Sequence, residues 1–393
     1  MKRLPFINRL FKKRKKKTDD IKPNNLNTNM KEKEDYYASQ WTLIWKNLKQ
    51  HKLARISLAF LAIFYILAIF AGFVAPQGLQ SYDSEYVNAP PTKIHFFDEE
   101  GNFHFRPFVY GLERTRDPET YGNKFVEDKE DKYPIEFFVE GEEYKFLGLF
   151  PTKIHLFGVK DPGEVFLLGT DGMGRDLFSR IILGSRVSLS IPLVGVTISL
   201  IIGIILGGIS GYFGGWVDAI IQRIIEVFRS FPTLPLWMAL SAAIPAGVDV
   251  VLMYLYIVII ISFIEWTGLA RVVRGQFMSL KNEEYVLAAR ISGVSNTKII
   301  GRHLMPGVVS YLVVQTTLAI PAMIIAETSM SFLGLGIRSP ATSWGVLLQE
   351  AQEITNVALY PWKLIPLLFV VFSVLCFNFF GDGLRDAADP YKS

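Results

Sequence analysis

The chain runs to 393 residues, half of them hydrophobic, with a formal net charge of +4 and a mean hydropathy of +0.27. That is too apolar for an ordinary soluble two-domain protein and points to a lipid environment. The single cysteine, Cys376, excludes an internal disulfide, and in an apolar helix it reads as a small hydrophobe.

Residues 1–52 form a basic leader, expected to be cytoplasmic, with Lys12, Lys13, Arg14, Lys15, Lys16 and Lys17 in one run. A dense basic run can bind nucleic acid, but in a membrane chain a topology signal is the simpler reading, and no nucleic-acid partner is expected. Residues 18–35 are polar and expected to be disordered. Residues 53–75 read as the first membrane helix, because 56–75 contain no Asp, Glu, Lys or Arg.

Residues 76–165 form a long acidic insertion between helices one and two. Within it, Pro91-Thr-Lys-Ile-His95-Phe-Phe and Pro151-Thr-Lys-Ile-His155-Leu-Phe are near copies, expected as paired strands. Residues 103–110 and 135–147 alternate partly, with Glu100-Gly101-Asn102 as a turn, so a small β-rich domain is expected. His95, His104 and His155 are the only candidates there for a shared metal. Strand histidines more commonly face solvent or a hydrogen-bond partner, and no metal site is expected.

Residues 166–393 form the core. Charge-free runs at 187–217, 230–248, 250–264, 306–326 and 364–381 supply helices two to six. In the first of these, Gly195, Gly203, Gly207, Gly208 and Gly211 include pairs at spacing four, which suits close helix packing. Pro245, Gly247 and Asp249 mark the turn between helices three and four. Arg271, Arg274, Lys281, Arg290, Lys298 and Arg302 crowd the loop after helix four. By the excess of positive charge, that loop, the leader and the C-terminus all belong in the cytoplasm.

That loop is the most informative stretch. Glu283 to Ser295 and Ile299 to Pro306 read as two short helices: Gly293 breaks the first, Ser295 can cap the second and Pro306 opens the next membrane helix. The small pair Ala288 and Ala289 leaves room for another protein's backbone. Glu284, Ala288, Ala289 and Gly293 carry the pattern by which the chain resembles the permease subunits of bacterial ATP-binding cassette importers. EYVLAAR..G.S...II.RH..P, the stretch 168–189, MSFLGLGI.....SWG and the terminal GDGLRDAADP are similar to the oligopeptide and dipeptide branch. Gly307 stands where that branch usually has Asn, and the insertion is longer than in its shorter members.

The resemblance implies an all-α membrane protein of six helices, the type I ABC importer permease fold, with the β-rich insertion outside. It implies a multi-pass permease of the bacterial cytoplasmic membrane that translocates oligopeptides or dipeptides, with nickel or another small solute as the alternative cargo. Its partners would be a second homologous permease, two cytoplasmic ATPases and an extracytoplasmic peptide-binding protein. The coupling residues carried over, within a loop of about 281–306, are Glu284, Tyr285, Ala288, Ala289, Arg290, Gly293, Ser295, His303 and Pro306. Asp171, Gly172, Gly174, Arg175 and Asp176 are candidates to meet the binding protein, and Glu327 is a candidate for the pathway.

No phosphate-binding loop occurs, since Gly169-Thr-Asp-Gly-Met-Gly-Arg lacks the Lys and the Ser or Thr such a loop needs. ATP and Mg²⁺ are therefore expected on the partner ATPases, with no cofactor and no catalytic residue in this chain. A secondary transporter would need intramembrane charges and repeated halves, neither of which stands out. A membrane-anchored enzyme would need a catalytic arrangement that the insertion does not display.

Overall fold

The computed structural model describes residues 40–116, 123–245 and 247–388; the basic run at 12–17 and the polar stretch 18–35 lie outside the described residues. Helix α1 (Gln40–Gln50) turns at His51 into α2 (Lys52–Ile69), and the His51 side chain caps α2 by accepting from the Ala54 amide at 3.4 Å. A further helical turn, Ala71–Val74, carries the chain to the insertion.

The insertion holds two sheets. β1 (His95–Phe97), β2 (Phe103–Arg116) and β3 (Asn123–Pro134) form an antiparallel sheet in that order, and β4 (Glu136–Phe146) pairs with β5 (Phe150–Gly158). The expected turn is present, with Gly101 at φ +81°. The two near-copies do not pair with each other. His95 is opposite Phe108 on β2, whereas His155 is opposite Val139 on β4. Each copy completes a hairpin with its sequence neighbour, because a short connection makes local pairing cheaper than a long one.

Among the described residues, five helices are long and apolar enough to cross a membrane. They are α2, α3 (Leu177–Phe213), α6 (Val250–Leu280), the span Asn296–Phe332 containing α8 (Met305–Phe332), and the span Pro361–Ala388 containing α10 (Ile365–Ala388). The third predicted span differs from expectation. Residues 215–242 form two helices, α4 (Gly215–Ser230) and α5 (Thr233–Ala242), broken at Phe231 and Pro232. Pro232 supplies no amide and pushes Phe231 into an extended conformation, observed at φ −84°, ψ 136°.

The glycines of α3 show why this broken piece still makes a sixth traverse. A Cβ on Gly195 would approach Ser262 Oγ at 3.3 Å, on Gly207 the Ala270 carbonyl oxygen at 2.3 Å, and on Gly211 the Arg274 carbonyl oxygen at 2.7 Å. The contacts on both helices advance together, so α3 and α6 run parallel. The chain between them must therefore return the length of the bundle, and α4 and α5 do so in series. Ile221 and Ile225 of α4 pack on Trp266 and Ala270, while Trp237 of α5 joins the main core.

That core lies between α2, α3, α6, α8 and α10 around Ile181, Ile257, Ile261, Met323, Ile324, Trp344 and Phe377. Trp344 opens the short helix α9 (Trp344–Ala351) and donates its indole N–H to the Ile181 carbonyl at 3.1 Å. Helix α6 extends sixteen residues beyond the predicted end at 264. Glu265, just past that predicted end, thus stands midway along it.

Candidate functional site

The predicted coupling loop is a helical hairpin set into one end of the bundle. Helix α7 (Glu284–Ile291) has Glu284 in its first turn and Arg290 in its last, both favourable to the helix dipole. It ends where Gly293 adopts φ +75°. The Gly293 amide donates to the Arg290 carbonyl and the Val294 amide to the Ala289 carbonyl, each at 3.1 Å, the paired closure that a left-handed residue permits. Ser295 holds the N-cap position of Asn296–Lys298, but its hydroxyl makes no capping bond; only its carbonyl accepts, from Ile299 at 3.0 Å. The chain then winds into a π-helical segment, Ile299–Leu304, which carries half-buried His303, and Pro306 stands in the first turn of α8.

One side of this hairpin is locked. Val286, Ala289, Ile299 and Leu304 are buried with Tyr212 of α3, Val273 and Phe277 of α6, and Val308 and Leu312 of α8. The Tyr212 hydroxyl donates to Asn296 Oδ1 at 2.7 Å, and the Arg290 guanidinium lies 5.6 Å from the Tyr212 ring centre. The small pair therefore divides: Ala289 faces inward and only Ala288 is exposed. Glu284, Leu287, Ala288 and Ile291 share the outer face at helical spacing, and Ile291 is 87% exposed. Tyr285 is exposed beside them. The hairpin thus offers an apolar face with one carboxylate, while a push on it is delivered to the ends of three bundle helices.

At the opposite end, the segment 169–176 is built inward. Asp171 accepts from the amides of Met173 (2.7 Å) and Arg175 (3.1 Å), from Arg175 Nε at 2.7 Å, and from the Arg180 guanidinium. Both arginines also reach Glu350 of α9, Arg175 Nη2 at 3.2 Å and Arg180 Nη2 at 2.9 Å. Gly174 is required by close approach, since a Cβ there would collide with the Asp83 carbonyl. Asp176 caps α3 by accepting from the Ser179 amide at 2.8 Å. Burial pushes its carboxyl up to about 6 and that of nearby Glu164 up to about 7; hydrogen bonds from Ser179 and from Gln77 oppose these shifts.

Of the five residues expected to meet a binding protein, Gly172 alone is exposed, with Met173 beside it; Asp171, Gly174 and Asp176 are buried and Arg175 is nearly so. The sequence reading missed Arg180 and Glu350. Arg180, a cation near the start of an apolar helix, was the available signal; Glu350 lies 170 residues away and carried none.

Glu327 is fully buried in α8. Its Oε1 accepts from Ser331 Oγ at 2.8 Å and its Oε2 from Ser188 Oγ at 3.2 Å. Ser188 Oγ in turn accepts from the Trp344 amide at 3.0 Å. This places Glu327 in a hydroxyl cage joining α3, α8 and the start of α9. The three strand histidines are held separately: His95 by Glu127 at 3.3 Å, His104 by Asp98 at 2.9 Å, and His155 by the carbonyls of Ala75 and Glu142.

A bundle of membrane-spanning helices, two of them parallel and glycine-packed, with a rigidly seated hairpin at one end, defines a membrane permease. Comparison with known proteins gives the family. Residues 176–392 match the model described as binding-protein-dependent transport system inner membrane component, and 39–91 match the N-terminal TM domain of oligopeptide transport permease C. The dipeptide transport system permease protein DppC of Lactococcus lactis is 34% identical over 355 residues, 89% of this chain and 90% of that protein. The oligopeptide transport system permease protein OppC of Haemophilus influenzae is 44% identical over 223 residues, 56% of this chain and 69% of that protein. Among solved structures, an inward facing MetNI methionine ABC transporter aligns with a TM-score of 0.44 at 17% identity, over 55% of this chain and 99% of that one. The chain belongs to the binding-protein-dependent transport system inner membrane components, with the ABC importer permease fold.

Proposed function

We propose that this chain is the membrane-spanning permease subunit of an ATP-driven importer of oligopeptides or dipeptides. It sits in the cytoplasmic membrane with the 284–304 hairpin and both termini in the cytoplasm and the insertion outside. The basic residues Arg271, Arg274, Lys281, Arg290, Lys298 and Arg302 near the hairpin support that orientation. The peptide cargo is supported by the DppC and OppC relatives, the former alike over nine-tenths of both chains.

The observation that carries the mechanism is the two-sided hairpin. Its outer face, Glu284, Leu287, Ala288 and Ile291, takes a cytoplasmic ATPase; its inner face is fused to α3, α6 and α8. ATP and Mg²⁺ are held by two such ATPases. When they close, the hairpin moves as a body with the three helix ends, and a second, homologous permease does the same across the pathway. An extracytoplasmic peptide-binding protein delivers cargo to the outer mouth, where Gly172 and Met173 are the exposed part of the 169–176 segment. This chain performs no hydrolysis itself.

Co-purification and reconstitution test this. The tagged chain should bring down two ATPases and a second permease, and proteoliposomes of the complex should accumulate labelled peptide only with ATP and the binding protein. Ile291→Asp should release the ATPases while leaving the permease pair intact. Peptide uptake by the chain alone, driven by an ion gradient without ATP, would overturn the proposal.

A further inference from the structure

The β4–β5 hairpin descends along the helical turn Ala71–Val74 and onto the end of α2, level by level. His155 meets the Ala75 carbonyl at 2.6 Å. The Tyr144 ring covers Gly72, where a Cβ would come within 2.5 Å. Phe146 lies 5.7 Å from Phe70, and Leu147 and Gly148 border a cavity of about 510 Å³ together with Tyr65, Ile69 and Leu193. From Ala75 to Ile69 a helix descends about 9 Å. The hairpin turn is therefore carried down to the last turn of α2, beside Tyr65 and Ile69.

The turn itself, Phe146-Leu147-Gly148-Leu149-Phe150, has no charge, yet Leu147 is 47%, Leu149 72% and Phe150 66% exposed. Its backbone is partly self-satisfied: the Gly148 amide donates to Lys145 at 3.1 Å and the Leu149 amide to Phe146 at 3.0 Å. The tip adjoins Ile69, the last of the exposed apolar residues Ile63, Ile66 and Ile69 along α2. At the same cavity, Arg186 donates from Nε to the Ala68 carbonyl at 2.9 Å and has no carboxylate partner among the described residues. An uncharged aromatic tip beside the last turn of a membrane helix, next to a cation with no carboxylate within 4 Å among the described residues, is the arrangement of an interfacial anchor.

We propose that residues 146–150 are buried in the outer leaflet as a second membrane attachment of the insertion, and that an anionic phospholipid occupies the adjoining groove with its phosphate at Arg186. The contact holds the β4–β5 hairpin against α2, so the insertion keeps a fixed height above the bilayer whatever the state of the transporter.

The test uses the whole transporter in lipid nanodiscs, in a Cys376→Ser background, with nitroxide labels at Leu149→Cys, Phe150→Cys and Phe105→Cys. Only preparations that retain ATP-driven uptake are read. Oxygen should reach the labels at 149 and 150 in preference to a water-soluble nickel chelate; the label at 105, on the other sheet and 91% exposed in the native chain, should show the reverse. If position 149 is as aqueous as 105, the anchor is rejected. It is also rejected if 149 becomes shielded only when the binding protein is added, because the tip is then a protein-docking surface. In mixed phosphatidylglycerol and phosphatidylcholine discs, native mass spectrometry should show about fivefold less phosphatidylglycerol retained by Arg186→Gln. Unchanged retention overturns the phosphate assignment.

Discussion

Gly293→Ala isolates the backbone closure of the coupling hairpin, because nothing else opposes it. A Cβ at this position has no atom within 4 Å, so the substitution is sterically free, and the whole cost comes from φ +75°. An L-residue other than Gly loses about 1–2 kcal/mol there, and Asn, which tolerates the left-handed region, loses less. Transferred to local opening, 1–2 kcal/mol is about 5–30-fold. Hydrogen exchange at the Ser292 and Val294 amides, which donate to Ala288 and Ala289 at 3.0 and 3.1 Å, reads that opening directly. Gly293→Ala should speed both by about this factor with little change in global melting, and should lower ATP-driven uptake; Gly293→Asn should fall between it and the native chain. If Ala and Asn behave alike, or if exchange is unchanged while uptake falls, backbone closure is not what holds the hairpin.

The α3–α6 seam should fail for the opposite reason. Gly207→Val forces a Cβ against the fixed Ala270 carbonyl and should cost about 1–3 kcal/mol or more, read as a lower melting temperature in detergent; Gly275→Val, where a Cβ meets nothing, is the control. Asp171→Ala strands two amides and leaves Arg175 and Arg180 with Glu350 alone, and should cost about 3–5 kcal/mol by the same assay. The pH dependence has a definite sign. Asp176 and Glu164 rise from 3.8 and 4.5 to about 6 and about 7 on folding, so the folded state holds the extra protons between those values. Their favourable contribution is complete below about pH 4 and is lost as pH rises through 7. A double Asp176→Asn, Glu164→Gln variant should flatten the melting temperature between pH 4 and 7.

Much of this protein could be read without coordinates. Charge-free runs located the five long membrane helices, though not the broken piece at 215–242, because a buried backbone must satisfy itself within one helix, and that constraint acts residue by residue along the chain. Gly293 and Pro306 marked the ends of elements for reasons internal to their own backbones. The insertion was legible as β-rich, but not its pairing: alternation fixes which face a residue takes and says little about which strand it meets.

What only the tertiary structure decided concerns groups that act on partners far along the chain. The break at Pro232 became a crossing, rather than a loop, only because α3 and α6 run parallel. Asp171, Arg175 and Asp176 looked like an exposed polar segment until Arg180 and Glu350 closed over it. Glu327 was placed in a hydroxyl cage by Ser188, 139 residues distant. Ala288 and Ala289, adjacent and alike in sequence, took opposite roles because the hairpin core claimed one and left the other outside. A sequence determines what each segment can satisfy by itself; burial and charge pairing between distant segments depend on where the chain returns, and that is settled by packing.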